Sequence, residues 1–322
     1  MVACSARVSA MRIVFCGTPE FAVPSLRRLA AEPGISVEAV ITQPDRPRGR
    51  GQQVSDSPVK EAALAANLHV FQPETIKSDS AQEFLKRVAP DVVVIIAYGQ
   101  IIPGRLLTLP RLGWINLHAS LLPRYRGAAP IHWAIANGET TTGLTTMQID
   151  ARMDTGPTLL QHELEVGEDE TSPELDARMS EIGAGLIVDS LVRLDRGEIS
   201  PQPQDNEKAS YAPILKREDG KIEWTRTAQQ IYNRMRGFAP WPGAYTTFRG
   251  QTCHLWGRPG RGVAAEGRIT AGEIVPSTKD VYVVCGEGTC LRLESVQLEG
   301  RKRISAPEFA NGARFAPSER FV

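Results

Sequence analysis

Asn116 and His118 are the residues whose types and spacing most clearly suggest chemistry, and they end the apolar segment 113–118. Side chains two residues apart in a β-strand point to the same face. The segment therefore predicts a strand that carries an amide and an imidazole side by side, with Leu117 facing the core. A carboxamide can donate to a developing oxyanion, and an imidazole can transfer protons near neutral pH. An isolated pair of this kind is more often a local polar cap, so the neighbouring residues decide between the two interpretations.

Three further motifs follow this pair along the chain. Ser-Leu-Leu-Pro occupies residues 120–123, Arg-Gly-Ala-Ala-Pro residues 126–130, and Asp-Thr-Gly residues 154–156. Together with Asn-x-His, this ordered series resembles the folate-dependent formyltransferase family. The resemblance extends from residue 12 to residue 243, and over that length the chain is similar to the branch of the family that acts on methionyl-tRNA.

The resemblance implies a catalytic group of Asn116, His118 and Asp154. Formyl transfer from a folate nitrogen to an amine needs a stabilised oxyanion, an acceptor for the amine proton and a proton for the departing nitrogen. By resemblance, Asn116 donates to the oxyanion, while His118 adds a second donor and moves protons. Asp154 would hold the imidazole and position a water that accepts the amine proton. No covalent intermediate is required, because an amine can attack a formyl group directly.

The same resemblance implies a folate site that uses backbone more than side chains. The pterin of the donor, 10-formyltetrahydrofolate, is expected between the turn 96–99 and the loop 150–154, with residues 120–123 along the rest of the molecule. Tyr98 could stack on the ligand or fill the core, and Ser-Leu-Leu-Pro is also compatible with a tight turn fixed by its proline. The expected folate contacts are Ile96, Tyr98, Ser120, Leu121, Leu122, Pro123 and Asp150.

A basic loop at residues 43–53 carries Arg46, Arg48 and Arg50 between glycines and prolines. This composition cannot form a helix and favours a mobile basic arm. The resemblance implies that the arm enters the acceptor end of initiator methionyl-tRNA, with Arg50 closest, where guanidinium groups suit phosphates and unpaired bases. An ordinary solvated loop is the alternative. Some family members have two lysines at the positions of Gln52 and Gln53. The smaller positive charge in this chain would weaken the arm without removing its role.

Strands that alternate with helices up to residue 200 predict an α/β fold, a Rossmann-like, doubly wound and mostly parallel sheet. Several short strands and one helix near the C-terminus favour a smaller OB-like β-barrel. Residues between them are rich in Pro, Gln and Asn and lack periodicity, which is typical of a linker. We expect a disordered extension at 1–10 (with Met11 as an alternative start), a catalytic domain at 11–200, a linker at 201–214 and the barrel domain at 215–322.

Composition limits the classes of protein to which the chain can belong. The 322 residues are 42% hydrophobic and 23% charged, as in a globular enzyme, and no apolar run reaches membrane-spanning length. Net charge is zero, while residues 201–322 carry 18 Lys and Arg against 13 Asp and Glu, so charge leaves the partner undecided. Five scattered cysteines without metal-ligand spacing indicate reduced thiols and no metal site. We expect a monomeric, cytoplasmic enzyme.

Four alternatives to a methionyl-tRNA enzyme stay open at the level of sequence. A formyltransferase for a sugar nucleotide or glycinamide ribonucleotide would share the catalytic group but have no reason for the arginine arm. A 10-formyltetrahydrofolate hydrolase would use water in place of the amine. A catalytically silent tRNA-binding module would not need Asn116, His118 and Asp154. An NAD-dependent oxidoreductase is a weak alternative, because the dinucleotide-binding motif G-x-G-x-x-G is absent after the first predicted strand.

Overall fold

The computed structural model describes residues 10–48, 53–260 and 270–322, and at 47, 48, 53 and 54 the backbone alone. Apart from its last residue, the extension predicted at 1–10 lies outside these ranges, as does Arg50. In the described ranges, the α-helices are α1 (Val23–Ala31), α2 (Pro58–Ala65), α3 (Asp79–Val88), α4 (Gly104–Leu107), α5 (Pro130–Ala136), α6 (Ser172–Asp195), α7 (Ala228–Gly237) and α8 (Ala306–Ala313). The strands are β1 (Met11–Gly17), β2 (Ile35–Ile41), β3 (Arg46–Arg48), β4 (Gln53–Ser55), β5 (Val70–Phe71), β6 (Val92–Ile96), β7 (Trp114–His118), β8 (Arg126–Gly127), β9 (Thr141–Gln148), β10 (Thr158–Glu165), β11 (Tyr211–Ala212), β12 (Tyr245–Phe248), β13 (Gln251–Pro259), β14 (Ile274–Pro276), β15 (Val281–Val284), β16 (Cys290–Leu298) and β17 (Ile304–Ser305).

A seven-stranded sheet with the order β10-β9-β7-β6-β1-β2-β5 forms the centre of the first compact unit. The pairs from β7 to β5 are parallel, and β6 is buried along its whole length, as expected for a strand covered on both faces. The predicted α/β, mostly parallel fold is therefore confirmed. One feature differs from a uniformly parallel sheet, because β9 runs antiparallel to β7. Strand length and apolar pattern carry no information on strand direction, so this reversal was not predicted.

The second unit is built on an antiparallel sheet with the order β12-β13-β16-β15-β14, and β17 pairs with β16. Its apolar core contains four stacked or edge-packed aromatic side chains, Phe248, Phe309, Phe315 and Phe321. This antiparallel half-barrel confirms the smaller barrel-like domain that the short C-terminal strands predicted.

The two compact units interleave along the chain. The first comprises residues 1–127, 142–165 and 176–212, and the second comprises 128–141, 166–175 and 213–322. In the second unit, the ring of Trp133 packs edge-on against Phe238 at 5.2 Å, and its Nε1 donates to the Pro213 carbonyl at 2.8 Å. These contacts explain why 128–141 groups with the C-terminal residues. The domain boundaries expected from the sequence, with the catalytic domain ending at residue 200 and the barrel domain beginning at residue 215, stay a prediction. No helix in the described ranges is long and apolar enough to cross a membrane.

Candidate active site

Strand β7 presents the predicted pair at the middle of the sheet. It is hydrogen-bonded to β6 on one side and to β9 on the other, with Asn116 opposite Met147. Leu117 points to the other face, where a Cβ added to Gly183 of α6 would lie 2.6 Å from its Cδ2. Close packing on that face fixes the strand, so Asn116 and His118 share the opposite face as the alternation predicts. His118 is buried and Asn116 half-buried.

The ring of His118 is held by a backbone carbonyl. Its Nε2 lies 2.9 Å from the Tyr125 oxygen, and a carbonyl only accepts, so Nε2 carries the donated hydrogen. The other nitrogen, Nδ1, lies 3.8 Å from Asp154 Oδ2. A proton gained by the neutral ring therefore goes to Nδ1, on the side of the carboxylate. At 3.8 Å the two groups form an ion pair when the ring is charged, and Tyr125, rather than Asp154, orients the imidazole.

Asp154 comes from the connection between β9 and β10, and several groups define its position. The backbone N–H of Gly127 donates to Oδ2 at 2.8 Å. Asp154 adopts φ +53°, the left-handed region that non-glycine residues enter at a cost. The side chain of Gln204 donates to the carbonyl oxygens of Asp154 and Gly156 at 2.9 and 2.7 Å. The carboxylate is thus fixed both at its oxygen and through its own backbone.

The rest of this loop is equally constrained. The carboxylate of Asp150 accepts hydrogen bonds from the Arg152 N–H at 3.0 Å and from the Thr155 hydroxyl at 2.8 Å. A Cβ on Gly156 would overlap the carbonyl oxygen of Gln148. The glycine of the Asp-x-Gly motif is therefore required by close backbone approach, which lets the chain turn back toward β10 within a few residues.

Asn116 differs from its neighbours because its carboxamide has no hydrogen-bond partner within the described part of the chain. It is half-buried on the face shared with His118. A polar side chain on a rigid strand that remains unengaged can donate to a ligand without first breaking an internal hydrogen bond.

Two of the predicted folate residues lie inside the protein. Ile96 is fully buried in β6, and Tyr98 is 1% exposed within the apolar core of the first unit. Burial raises the pKa of the Tyr98 phenol, and its hydroxyl has no partner among the described residues. Of the two roles left open for Tyr98, the structure places it in the core.

Residues 120–123 form a braced turn. The Ser120 hydroxyl donates to the Arg124 carbonyl at 2.6 Å, and the Ser120 carbonyl accepts from the Thr145 hydroxyl at 2.7 Å. The Thr145 hydroxyl also accepts from the Leu122 N–H, and the Leu122 carbonyl accepts from the Gln161 side chain. Polar groups of Ser120 and Leu122 are therefore engaged internally. Leu121 and Pro123 are half-buried beside them.

The basic loop is more regular than the predicted arm. Residues 46–48 pair antiparallel with 53–55, and Arg46 is exposed. Arg48 pairs through its backbone with Gln53, while Arg50 lies outside the described residues. A two-stranded hairpin needs no apolar core of its own, so composition alone could not distinguish it from an irregular loop.

Lys60 of α2 joins the two ends of this hairpin, and sequence analysis missed it. Its ammonium contacts Asp45, just before β3, and lies 2.8 Å from Asp56, just after β4. Gln72 donates to the second Asp45 oxygen at 2.9 Å. Hydrogen bonds from Lys60 and Gln72 hold the pKa of Asp45 below its ordinary value, so the pair stays charged at neutral pH. The i,i+4 spacing of Asp56 and Lys60 could have indicated one of these ion pairs, but no spacing signal indicated the contact with Asp45, 15 positions earlier in the chain.

Within the described ranges, no group of three His, Cys, Asp or Glu side chains could hold a metal ion.

Comparison with known families matches both parts of the chain. A formyl transferase model matches residues 11–191, and a model of the formyl transferase C-terminal domain matches residues 214–314.

Full-length relatives share about half of the sequence. The chain is 52% identical to a methionyl-tRNA formyltransferase of Solibacter usitatus, over 96% of this chain and 98% of that protein. It is 48% identical to a methionyl-tRNA formyltransferase of Geobacter metallireducens, over 97% of this chain and 99% of that protein.

Solved structures with the same fold are more distant in sequence. An N-formyltransferase from Helicobacter canadensis, in complex with folinic acid and dTDP-3-aminofucose, superposes with a TM-score of 0.63 at 17% identity, covering 88% of this chain and 98% of that chain. HypX from Aquifex aeolicus in complex with tetrahydrofolic acid superposes with a TM-score of 0.59 at 15% identity, covering 94% of this chain and 47% of that chain. At these identities the likeness concerns the fold alone.

Proposed function

Since the chain belongs to the formyltransferase family, as a full-length relative of the methionyl-tRNA formyltransferases, we propose that it transfers a formyl group from 10-formyltetrahydrofolate to methionine on initiator tRNA. The product is N-formylmethionyl-tRNA, the substrate of translation initiation. The predicted family is thereby confirmed. The observation that carries the proposed chemistry is the arrangement of Asn116, His118 and Asp154, with the Asn116 amide unengaged and the carboxylate beside Nδ1 of the imidazole.

The proposed reaction begins when the methionine amine attacks the formyl carbon and a C–N bond forms. Negative charge develops on the formyl oxygen, which accepts a hydrogen bond from the Asn116 amide. Loss of such a donor typically costs about 10²–10³ in rate. The bond to the folate nitrogen then breaks, and tetrahydrofolate leaves as the amide of formylmethionine is completed.

Proton movement is assigned to the His118–Asp154 pair. The ammonium-like intermediate must lose a proton, and the departing nitrogen must gain one. We assign uptake to Nδ1 of His118, directly or through a water positioned by Asp154, because Nε2 already donates to the Tyr125 carbonyl. The imidazolium then returns this proton to the departing folate nitrogen, which leaves His118 neutral again. The carboxylate at 3.8 Å stabilises the imidazolium formed in this step. A positioned proton-transfer group typically contributes about 10²–10⁴ in rate.

The proposed folate site uses backbone groups of the turn 96–99 and of the loop 150–154, with residues 120–123 alongside. Support for a backbone site comes from the burial of the Tyr98 side chain and from the internal hydrogen bonds of the Ser120 and Asp150 side chains. For tRNA, we propose the segment 43–53, which contains Arg46, Arg48 and Arg50. A monomeric state and a cytoplasmic location stay predictions.

Transfer to an amino sugar is the second candidate, since the Helicobacter canadensis structure is an N-formyltransferase in complex with dTDP-3-aminofucose. That structure shares 17% of its sequence with this chain, against about 50% for full-length relatives named after methionyl-tRNA. The relatives therefore favour the tRNA substrate.

The test is formation of N-formylmethionyl-tRNA from 10-formyltetrahydrofolate and charged initiator tRNA by the purified full-length protein. Asn116→Ala, His118→Ala and Asp154→Ala should each lower kcat at least about 100-fold with little change in folding. Near-normal turnover in one variant would remove that residue from the mechanism. Formate release without any acceptor would instead indicate a hydrolase.

A further inference from the structure

The segment 200–212, which we call the strap, was predicted as part of a linker but lies on the first unit. Thr158 and Gln202 form an antiparallel bridge, with two backbone hydrogen bonds of 2.8 Å. At its other end, β11 pairs with β8 in parallel register, Tyr211 with Arg126 and Ala212 with Gly127. The strap is therefore fixed at both ends, and Gln204 lies between them.

Gln204 uses both ends of its side-chain amide. Its Nε2 donates to the carbonyl oxygens of Asp154 and Gly156, at 2.9 and 2.7 Å. Its Oε1 accepts from Nε and Nη2 of Arg126, at 3.1 and 2.7 Å. One side chain thus joins the loop that carries Asp154 to a residue of β8.

Arg126 is relevant because the next residue, Gly127, donates its N–H to the Asp154 carboxylate at 2.8 Å. Arg126 is 3% exposed, and its Nη2 also donates to Asn206 Oδ1 at 2.9 Å. A Cβ on Gly127 would lie 2.5 Å from the Ala212 carbonyl oxygen, so strap and β8 approach closely. Gln204 therefore supports Asp154 in two ways. It holds Arg126, whose neighbour Gly127 donates to the Asp154 carboxylate, and it donates directly to the Asp154 backbone carbonyl.

We propose that Gln204 is a positioning residue for Asp154: it sets the separation of the Asp154 carboxylate from His118 and contacts neither substrate. This inference rests on the proposed function, in which Asp154 assists proton transfer. Asp154 adopts a left-handed backbone conformation that its neighbours must maintain. Two hydrogen bonds to the carbonyls on either side of residue 155 are placed to do so.

The experiment measures formyl transfer to charged initiator tRNA by the full-length protein, as kcat and KM for tRNA, together with the melting temperature. Gln204→Leu removes all four hydrogen bonds at similar volume. Gln204→Glu removes both donors to the loop but retains an acceptor for Arg126, so it keeps the test decisive if the leucine variant fails to fold. Gln202→Leu is the matched control, because among the described residues the Gln202 side-chain amide donates to Ser200 alone.

Each variant is also made with Asp154→Ala and assayed under single-turnover conditions with excess enzyme. If Gln204 acts through Asp154, both Gln204 variants lower kcat about 10- to 100-fold with little change in KM, as expected for a displaced catalytic group. In the Asp154→Ala background they cause no further loss, and Gln202→Leu behaves as wild type in both backgrounds.

Two results would overturn the inference. One is a kcat within about twofold of wild type for both Gln204 variants. The other is an equal loss with and without the Asp154 carboxylate, which would indicate a purely structural role. Failure of the proposed function is distinct, because the unmodified protein would then form no N-formylmethionyl-tRNA.

Discussion

Gly156→Ala tests whether the backbone of the Asp154 loop sets the catalytic geometry. The added methyl group would lie 3.0 Å from the Gln148 carbonyl carbon and 3.3 Å from the Asp150 nitrogen, and it would overlap the Gln148 oxygen. The oxygen is the nearest of these atoms, and a carbon–oxygen contact without overlap needs more than about 3 Å, so the two chain segments must separate by more than about 1 Å. Gly156 is two residues from Asp154, and its carbonyl accepts from Gln204, so this shift is transmitted to the carboxylate.

A misplacement of about 1 Å can cost about 100-fold in rate, which corresponds to about 2.7 kcal/mol of transition-state stabilisation. We therefore expect kcat for methionyl-tRNA formylation to fall about 100-fold, while KM for tRNA changes little. Steady-state kinetics of N-formylmethionyl-tRNA formation and a melting curve provide the two measurements.

The matched control for this substitution is Gly185→Ala. Gly185 lies on the exposed face of α6, with no atom within 4 Å of an added Cβ. Alanine in the interior of a helix should raise stability by about 0.5–1 kcal/mol and leave turnover unchanged. A Gly156→Ala enzyme as active as this control would refute the view that close backbone approach positions Asp154.

Three further predictions address the hairpin, the thiols and the barrel core. Arg50→Ala should raise KM for tRNA and flatten the salt dependence of tRNA binding. Lys60→Met should have the same effect, because it removes the ion pairs that hold the two ends of the hairpin. Folate affinity, measured by fluorescence titration, should not change in either variant. Burial raises the pKa of Cys253 and of Cys285 to about 12, so mass spectrometry should find neither thiol alkylated by iodoacetamide at about pH 8 until the protein is unfolded; rapid alkylation of the native protein would contradict this. Phe248→Ala should lower the free energy of unfolding by about 3–5 kcal/mol in urea titrations, because this ring packs in the aromatic core, and a cost below about 1 kcal/mol would show that the core is not packed as described.

The catalytic group could be predicted because its members carry distinctive chemistry at fixed spacing. Alternation along β7 placed Asn116 and His118 on one face, as the structure has them. The position of Asp154 beside the imidazole followed from resemblance alone, since 36 residues separate it from His118 in the chain. The distance of 3.8 Å and the role of the Tyr125 carbonyl required the structure.

The supporting residues could not be predicted, because they act through backbone groups that the sequence does not display. Gln204 lies in a segment whose Pro, Gln and Asn content is equally typical of a solvated linker. Its significance depends on Arg126, 78 residues earlier, and on carbonyls near Asp154. Tyr98 shows the converse, since an aromatic residue next to a proposed ligand site is in fact part of the core.

The central claim, that this protein formylates methionine on initiator tRNA, is tested most directly by competition among acceptors. Charged initiator tRNA, methionine-charged elongator tRNA and free methionine are offered together with 10-formyltetrahydrofolate, and the formylated products are quantified. The proposed function predicts formyl groups on initiator methionyl-tRNA, with little on the elongator and none on free methionine. Equal labelling of all three, or formate release without a formylated product, would contradict it.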